Sequence, residues 1–155
     1  MSEAVFLKIK KLLDSKHMLY TVMDHEPTPT SADAARVRGT KPEEGAKAMV
    51  LRSKGTFLMC VLPGDEKIDL NKMRIIINNK SLSFATPEQV KEITDCDIGS
   101  VPPFGNLFDI PIYVDKYLLR NEHIAFNAGL VTRSITMNKE DYLNIIHAHI
   151  EDFIQ

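Results

Sequence analysis

A chain of 155 residues, 44% hydrophobic and 26% charged, has the composition of an ordinary globular domain that can bury a core without disulfides or metals. Its formal charge of −2 excludes a protein that coats nucleic acid through bulk positive charge, but leaves room for a local basic patch that binds a few phosphates. The sequence has neither a signal-peptide pattern nor an apolar stretch of membrane-spanning length, so we expect a cytoplasmic protein with no membrane partner.

The first part of the chain alternates between helical and strand-like patterns. Apolar residues recur at helical spacing behind Ser2 and Glu3, whereas the two prolines after His25 forbid both a strand interior and a helix interior. The predicted elements here are a helix over 3–15, a strand over 19–23, a loop over 25–30, and a helix over 31–38 that Ser31 caps and Gly39 ends.

A hairpin forms the centre of the predicted sheet. Residues 47–53 and 56–62 are strand-like, and the two-residue connection Lys54-Gly55 is typical of a β-hairpin. The second strand is almost continuously apolar, which predicts burial on both of its faces. Cys60 lies within this strand and is best interpreted as a small core residue.

The second part of the chain adds further helices and strands. The predicted elements are a helix over 69–77 capped by Asp69, a strand over 82–84, a helix that begins at Thr86-Pro87, strands over 110–114, 122–126 and 133–137, and a helix from Asn138 through Ile154. Asn127-Ala-Gly129 is interpreted as the turn between the last two strands. The sequence has no linker that would divide it, so we expect a single mixed α+β domain over residues 1–155.

The loop Gly99-Ser-Val-Pro-Pro-Phe-Gly105 and Lys47 are the strongest candidates for a functional site. Adjacent prolines stiffen the loop, and its glycines permit positive φ and close approach of another molecule. A tight connection explains the loop alone, and a lysine at a sheet edge explains Lys47 alone. Together, a cation that binds phosphate and a loop with free N–H groups would hold a nucleotide ester while water attacks its carbonyl.

Other polar residues are weaker candidates. An amide at position 127 can donate and accept toward a ligand, or it can serve its own turn. Thr28 and Thr30 can contact a ligand, although capping the following helix is the simpler role for one of them. Cys60 and Cys96 lie in no Cys/His spacing typical of a metal site, so we expect two reduced thiols and no metal.

These motifs resemble the YbaK/prolyl-tRNA synthetase-associated domain family over most of the chain. The family includes free-standing aminoacyl-tRNA deacylases and the editing insertion of bacterial prolyl-tRNA synthetases. The resemblance rests on His25-Glu-Pro with Thr30, on Gly45-Ala-Lys47, on the 99–105 loop in place of the family's Gly-x-x-x-Pro loop, and on Asn127-Ala-Gly129. The order and the approximate separations of these motifs agree with the family.

The resemblance implies a closed mixed β-barrel flanked by helices, and a hydrolase that needs neither metal nor cofactor. Its substrate would be a mischarged aminoacyl-tRNA whose 3′ acceptor end enters a small pocket, with a small amino acid such as alanine or cysteine on tRNA-Pro or a related tRNA. Because the chain carries no synthetase portion, we expect it to act in trans. An aminoacyl-tRNA synthetase is a second candidate partner, and DNA is not expected to be one.

The resemblance also assigns the site residues. Lys47 matches the lysine that engages a phosphate near the terminal adenosine, and we expect it to be catalytic together with Gly99. The expected substrate-binding residues are Thr28, Thr30, Ser100, Pro103, Phe104, Gly105 and Asn127. Asn127 lies near the place where some relatives carry a histidine, and this departure bears on which amino acid is accepted.

A second interpretation stays open at this point. The same pocket could bind a nucleotide or an acylated RNA without turnover, which would make the chain a binding module or a regulator associated with a synthetase. Removal of the amino acid from a mischarged tRNA distinguishes the two interpretations.

Overall fold

Strands and helices alternate along the chain in the computed structural model, which describes residues 2–28 and 30–155. The strands are β1 (Tyr20–Asp24), β2 (Ala46–Ser53), β3 (Thr56–Pro63), β4 (Ser83–Phe84), β5 (Ile112–Asp115), β6 (His123–Leu130), β7 (Arg133–Asn138) and β8 (Ala148–Glu151). The helices are α1 (Ser2–Ser15), α2 (Ser31–Arg38), α3 (Leu70–Ile76), α4 (Pro87–Thr94) and α5 (Lys139–Ile145), with short 3-10 turns at Pro42–Glu44, Gly105–Leu107 and Lys116–Arg120. No helix in the two described ranges is long and apolar enough to cross a membrane.

The β2–β3 hairpin is the centre of the larger sheet, as predicted. Its strands pair antiparallel from Ala46–Pro63 to Ser53–Thr56. Alternate residues of β3 enter two different cores: Met59 and Val61 face one cluster of buried side chains, whereas Cys60 and Leu62 face the other. The prediction that this strand is buried on both faces is therefore confirmed, because packed side chains cover the sheet on each side.

The strands form two sheets in the described part of the chain, and the predicted closed barrel is not supported. One sheet has the order β1-β7-β6, and the other has the order β4-β2-β3-β5-β8. The two sheets meet at an isolated parallel bridge between Gly45 and Ala125. A barrel requires continuous strand pairing around a closed circuit, which this single bridge does not provide.

Local signals set the beginnings of the helices. Asp69 caps α3 by accepting from two backbone N–H groups, and α4 begins after Thr86, both as the sequence predicted. The structure adds a reciprocal capping box between Thr86 and Gln89. At α2 the cap is Thr30 and not Ser31, because the Thr30 side chain accepts from the Asp33 N–H while Ser31 is already helical.

Asn127 is not on a turn, which corrects the sequence-based interpretation. It lies within β6, and the pairing of β6 with β7 shifts between Asn127 and Leu130. Gly129 has φ +90° in this irregular stretch. A glycine at positive φ in a bulged strand carries the same sequence signal as a glycine in a turn, and this explains the error.

The C-terminal segment also differs from its prediction. The helix capped by Asn138 ends at Ile145, and residues 148–151 form β8 instead of continuing to Ile154. β8 pairs parallel with β5, and the buried Asp115 carboxylate accepts the Phe153 N–H at 2.8 Å. Tyr142 belongs to one core cluster and Phe153 to the other, so these two side chains could not share one face of a single helix.

Candidate functional site

A cavity of about 520 Å³ opens beside the junction of the two sheets. The beginning of β2 lines it together with α2, the turn that follows α4, and one residue of β6. The parallel bridge joins Gly45 to Ala125, and Lys47 and Asn127 each follow their bridge residue by two positions. Both residues line the cavity, so the meeting of the sheets brings them to the same site. Gly99 lines it as well, which unites the two strongest sequence candidates at one cavity.

Lys47 is half-buried near the beginning of β2. Its Nζ donates a hydrogen bond of 2.6 Å to the Glu66 carbonyl oxygen. Burial lowers the pKa of the Lys47 ammonium, and the nearby charges of Asp65 and Glu66 oppose that shift. An ammonium has three donors, so one hydrogen bond to Glu66 leaves two donors for a ligand.

Gly99 combines an unusual backbone with open space. Its φ is +92°, a conformation that residues with a side chain rarely adopt. A Cβ built at this position would meet no heavy atom within 4 Å. Among the residues that the structure describes, the Gly99 N–H has no hydrogen-bond partner, so this amide is available to a ligand.

Two hydrogen bonds from the irregular part of β6 hold the turn that contains Gly99. Asn127 Nδ2 donates to the Gly99 carbonyl oxygen at 2.7 Å, and the Gly129 N–H donates to the Ser100 carbonyl oxygen at 3.0 Å. The Asn127 amide is itself fixed, because its Oδ1 accepts a 3.0 Å hydrogen bond from the Arg38 guanidinium. Arg38 and Asn127 thus determine how the Gly99 peptide is presented at the cavity.

The hydrogen-bond network continues behind Arg38 to His25. Arg38 Nε donates to Ser134 Oγ at 2.8 Å, and His25 Nε2 lies 2.7 Å from the same hydroxyl. His25 Nδ1 lies 2.8 Å from the Glu26 carbonyl oxygen, which can only accept. His25 therefore donates from Nδ1, and the Ser134 hydroxyl beside His25 Nε2 also donates to Asn127 Oδ1 at 3.4 Å. Arg38, Asn127, Ser134 and His25 thus form one continuous hydrogen-bond network behind the cavity wall.

Arg38 is the main functional candidate that sequence reasoning missed. Burial lowers the pKa of its guanidinium to about 10. Both of its side-chain partners, Ser134 and Asn127, are neutral, and no ion pair of Arg38 occurs among the described residues. A half-buried cation without a carboxylate partner at a cavity wall favours an anionic ligand. The only sequence signal was a basic residue in the last turn of a short helix, which is typical of helix termini in general.

Thr28 and Thr30 both line the cavity, but their hydroxyls are already engaged. Thr28 is buried and its Oγ1 donates to the Val131 carbonyl oxygen at 3.1 Å. Thr30 caps α2 and also donates to the Asp33 carboxylate at 2.8 Å. Capping is thus a confirmed role for one of the two threonines, as predicted.

Val101 of the 99–105 loop lines the cavity, but Ser100, Pro103, Phe104 and Gly105 lie outside its lining. Ser100 is buried and donates to the Asp97 carbonyl oxygen, and the Pro103 carbonyl oxygen accepts from the Tyr142 hydroxyl at 2.6 Å. Phe104 is fully buried between the rings of Phe126 and Tyr142. A Cβ on Gly105 would lie 2.7 Å from Ile112 and 2.9 Å from the Ile110 carbonyl oxygen. These four residues were expected to bind substrate, whereas here they anchor the loop in the core.

Comparison with known proteins identifies the family. The sequence profile described as an aminoacyl-tRNA editing domain matches residues 25–145. The chain therefore belongs to the aminoacyl-tRNA editing domain family, and this confirms the resemblance inferred from its motifs.

Individual relatives cover nearly the whole chain. The chain is 31% identical to the multifunctional Ser/Thr-tRNA deacylase ProXp-y of Escherichia coli strain K12, over 92% of this chain and 88% of that protein. It is 26% identical to the prolyl-tRNA editing protein ProX of Acetoanaerobium sticklandii, over 91% of this chain and 90% of that protein. A solved structure with a proposed role as a trans-editing enzyme for prolyl-tRNA synthetase has the same fold, with a TM-score of 0.86, 24% identity and 97% coverage of both chains.

Proposed function

We propose that this chain is a trans-acting deacylase that hydrolyses the ester of a mischarged aminoacyl-tRNA. The observation that carries this proposal is the match of residues 25–145 to the aminoacyl-tRNA editing domain, together with 31% identity to a tRNA deacylase over 92% of the chain. The 3′-terminal aminoacyl-adenosine enters the cavity that Lys47 and Gly99 line.

The reaction needs positioning more than a strong catalyst, because an aminoacyl ester is already activated. The ammonium of Lys47 binds a phosphate near the terminal adenosine with the donors that Glu66 leaves free. The Gly99 N–H donates to the ester carbonyl oxygen and stabilises the negative charge that develops there. Water, steered by the ribose 2′-hydroxyl, attacks the carbonyl carbon. The bond from that carbon to the ribose oxygen then breaks, which releases a free amino acid and an uncharged tRNA.

Similarity to a relative supports a small amino acid as the group removed. The chain is 31% identical to a Ser/Thr-tRNA deacylase, and serine and threonine both have small side chains. A pocket shaped for such a side chain excludes a larger one by steric clash more strongly than it rewards one additional methylene. Alanine and cysteine on tRNA-Pro, together with serine and threonine on tRNAs for other amino acids, are therefore the mischarged substrates to test first.

The proposed deacylase acts as one unit over residues 1–155. Its N-terminal helix α1 packs on β6, the strand that carries Asn127. The protein acts in the cytoplasm, where aminoacyl-tRNA is used, and a synthetase that releases mischarged tRNA is its candidate protein partner.

A deacylation panel tests the proposal. The purified chain is incubated with tRNAs carrying alanine, cysteine, serine, threonine and proline, and the acyl group remaining on each tRNA is measured over time. We expect rapid loss from at least one small mischarged pair and none from correctly charged prolyl-tRNA. Protection of every ester, or no effect on any, would instead support a binding module without turnover.

The variant Lys47→Ala tests the proposed chemistry. We expect a decrease in kcat/KM of roughly a hundredfold or more, by analogy with the loss of a single stabilising donor in other enzymes. Lys54→Ala is the matched control, since Lys54 is an exposed lysine at the turn of the same β2–β3 hairpin. Equal activity of the two variants would remove Lys47 from the site.

A further inference from the structure

A second cavity adjoins the first and has no role in the proposed chemistry. Its volume is about 610 Å³, and it lies between β2, the segment after β3 and α3. Lys47, Met49 and Phe84 line both cavities, so the two spaces are neighbours on either side of these three side chains. The two cavities therefore share part of their walls and lie side by side.

The second cavity carries an excess of positive charge. Lys47, Lys67 and Arg74 line it, whereas Asp69 is its acidic lining residue. One oxygen of the Asp69 carboxylate already accepts two backbone N–H groups at the start of α3. The chain as a whole is slightly acidic, so this local excess of cations is not a reflection of composition.

Two of these cations have donors available for an anion. Arg74 uses its guanidinium to donate to the Asn71 side chain and to the Leu82 carbonyl oxygen, both neutral acceptors. Lys67 is exposed, and neither residue forms an ion pair in the part of the chain that the structure describes. A guanidinium has five N–H donors, so Arg74 retains several for phosphate oxygens.

Phe84 adds an aromatic surface between the two cavities. It is 46% exposed although it belongs to the short strand β4, which pairs with β2 at the edge of the larger sheet. Single-stranded nucleic acid is bound by the combination of a positively charged groove and exposed aromatic rings on which bases stack. Both components occur at this place, and the tRNA acceptor terminus is single-stranded.

We propose that the second cavity binds the nucleotides that precede the terminal adenosine, with Lys67 and Arg74 on their phosphates and Phe84 against a base. This inference rests on the proposed function, since it assumes that the aminoacyl-adenosine occupies the first cavity. On this proposal, Lys67 and Arg74 contribute to the binding of tRNA and take no part in the hydrolytic step.

A comparison of a complete and a truncated substrate tests whether the second cavity binds the nucleotides that precede the terminal adenosine. kcat and KM are measured for a mischarged tRNA and for the corresponding 2′(3′)-O-aminoacyl-adenosine, which lacks the preceding nucleotides. We expect Lys67→Glu and Arg74→Gln to raise the KM for tRNA by roughly tenfold, in the range of a hydrogen bond to a charged group, with kcat unchanged. The kinetics with aminoacyl-adenosine should stay at wild-type values. Lys11→Glu is the charge-matched control, because Lys11 is exposed on α1 and lines neither cavity.

Direct binding of an uncharged oligonucleotide ending in CCA makes the test independent of turnover. The dependence of its affinity on salt should become shallower in Lys67→Glu, by about 0.7 in the logarithmic slope for each lost phosphate contact. Phe84→Ala should weaken binding by roughly tenfold, and Phe84→Tyr should restore it because a phenol ring also stacks.

The outcomes separate this inference from the proposed function. If wild-type protein deacylates tRNA but Lys67→Glu and Arg74→Gln behave like Lys11→Glu in both assays, the role of the second cavity is contradicted and the deacylase proposal is supported. If no mischarged tRNA is hydrolysed but oligonucleotide binding depends on Lys67, RNA binding by the second cavity is supported and the deacylase proposal is contradicted. If Lys67→Glu and Arg74→Gln bind the oligonucleotide like wild type but bind a purified synthetase more weakly, the second cavity binds a protein partner and the RNA-binding proposal is overturned.

Discussion

The two ends of the 99–105 loop differ sharply in their surroundings, although each end is a glycine in the sequence. Gly99 lies at the cavity with a positive φ, an available N–H and open space beside its Cα. Gly105 lies in the interior, where the Ile110 carbonyl oxygen and the Ile112 side chain leave no room for a Cβ. One glycine therefore keeps a site open, whereas the other permits close packing.

The difference shows how a short loop can present a peptide group accurately. Its buried end is fixed by Phe104 and by the hydrogen bond from Tyr142 to the Pro103 carbonyl oxygen. Its cavity end is fixed by Asn127 and Gly129 of β6. In the proposed reaction, a loop held at both ends keeps the Gly99 N–H aimed at the developing charge without reorganisation.

Truncation of the buried anchor should have the largest effect. Phe104→Ala removes a fully buried ring that packs edge-on against Phe126 and Tyr142. We expect the free energy of unfolding to decrease by about 3–5 kcal/mol, as for other large-to-small changes of aromatic core residues. Urea denaturation measures this change. A decrease below about 1 kcal/mol would mean that the loop is not anchored by this ring.

The same substitution at the two glycines gives the sharpest form of the comparison. Gly105→Ala should decrease stability by about 1–3 kcal/mol through overpacking, while the folded fraction retains wild-type kcat/KM. Gly99→Ala should cost about 1–2 kcal/mol of backbone strain and should also decrease kcat/KM, because relief of that strain would shift the Gly99 N–H. Stability and deacylation are measured in parallel for both variants. An active Gly99→Ala protein alongside an inactive but folded Gly105→Ala protein would reverse the assignment of the two ends.

Arg38 tests the positioning of the cavity end. Arg38→Gln removes the charge and the forked contact to Ser134 and Asn127, so the Asn127 amide loses the partner that fixes it. We expect a decrease in kcat/KM of roughly tenfold, the size of one hydrogen bond to a charged group. The control is Arg36→Gln, since Arg36 is an exposed residue of the same helix with surface ion pairs to Glu26 and Asp33. An effect on kcat that Arg38→Lys partly restores would separate positioning from a general loss of stability.

The sequence was sufficient for the elements with strong local signals. The hairpin around Lys54-Gly55, the capped start at Asp69 and the helix start at Thr86-Pro87 all form as expected, because each is determined by residues close to it in the sequence. Lys47 and Gly99 line one cavity, as expected from their residue types and from the family resemblance, although no local pattern specifies that they come together.

The errors arose where distant pairing decided the structure. Apolar residues from Tyr142 to Phe153 recur at helical spacing, but residues 148–151 within this stretch pair parallel with β5 at the edge of the sheet. No local pattern predicts that pairing. The two sheets meet at the bridge between Gly45 and Ala125 and do not close into a barrel, and the local sequence around these residues does not predict this arrangement either. Arg38 was overlooked for the same reason, because its partners Asn127 and Ser134 lie about ninety residues away along the chain.

The pH dependence of deacylation should show the smallest effect, and it tests Lys47, the cation that lines the same cavity as Gly99. Burial lowers the pKa of the Lys47 ammonium, so this group loses its charge at a lower pH than an exposed lysine does. If the charge binds phosphate, enzymatic kcat/KM should decline as pH rises through that lowered pKa, after spontaneous ester hydrolysis is subtracted. Lys47→Arg should retain its own maximal activity to higher pH, because a guanidinium stays charged there. An identical alkaline decline in both proteins would assign the titration to another group and would leave Lys47 with a structural contact to Glu66 alone.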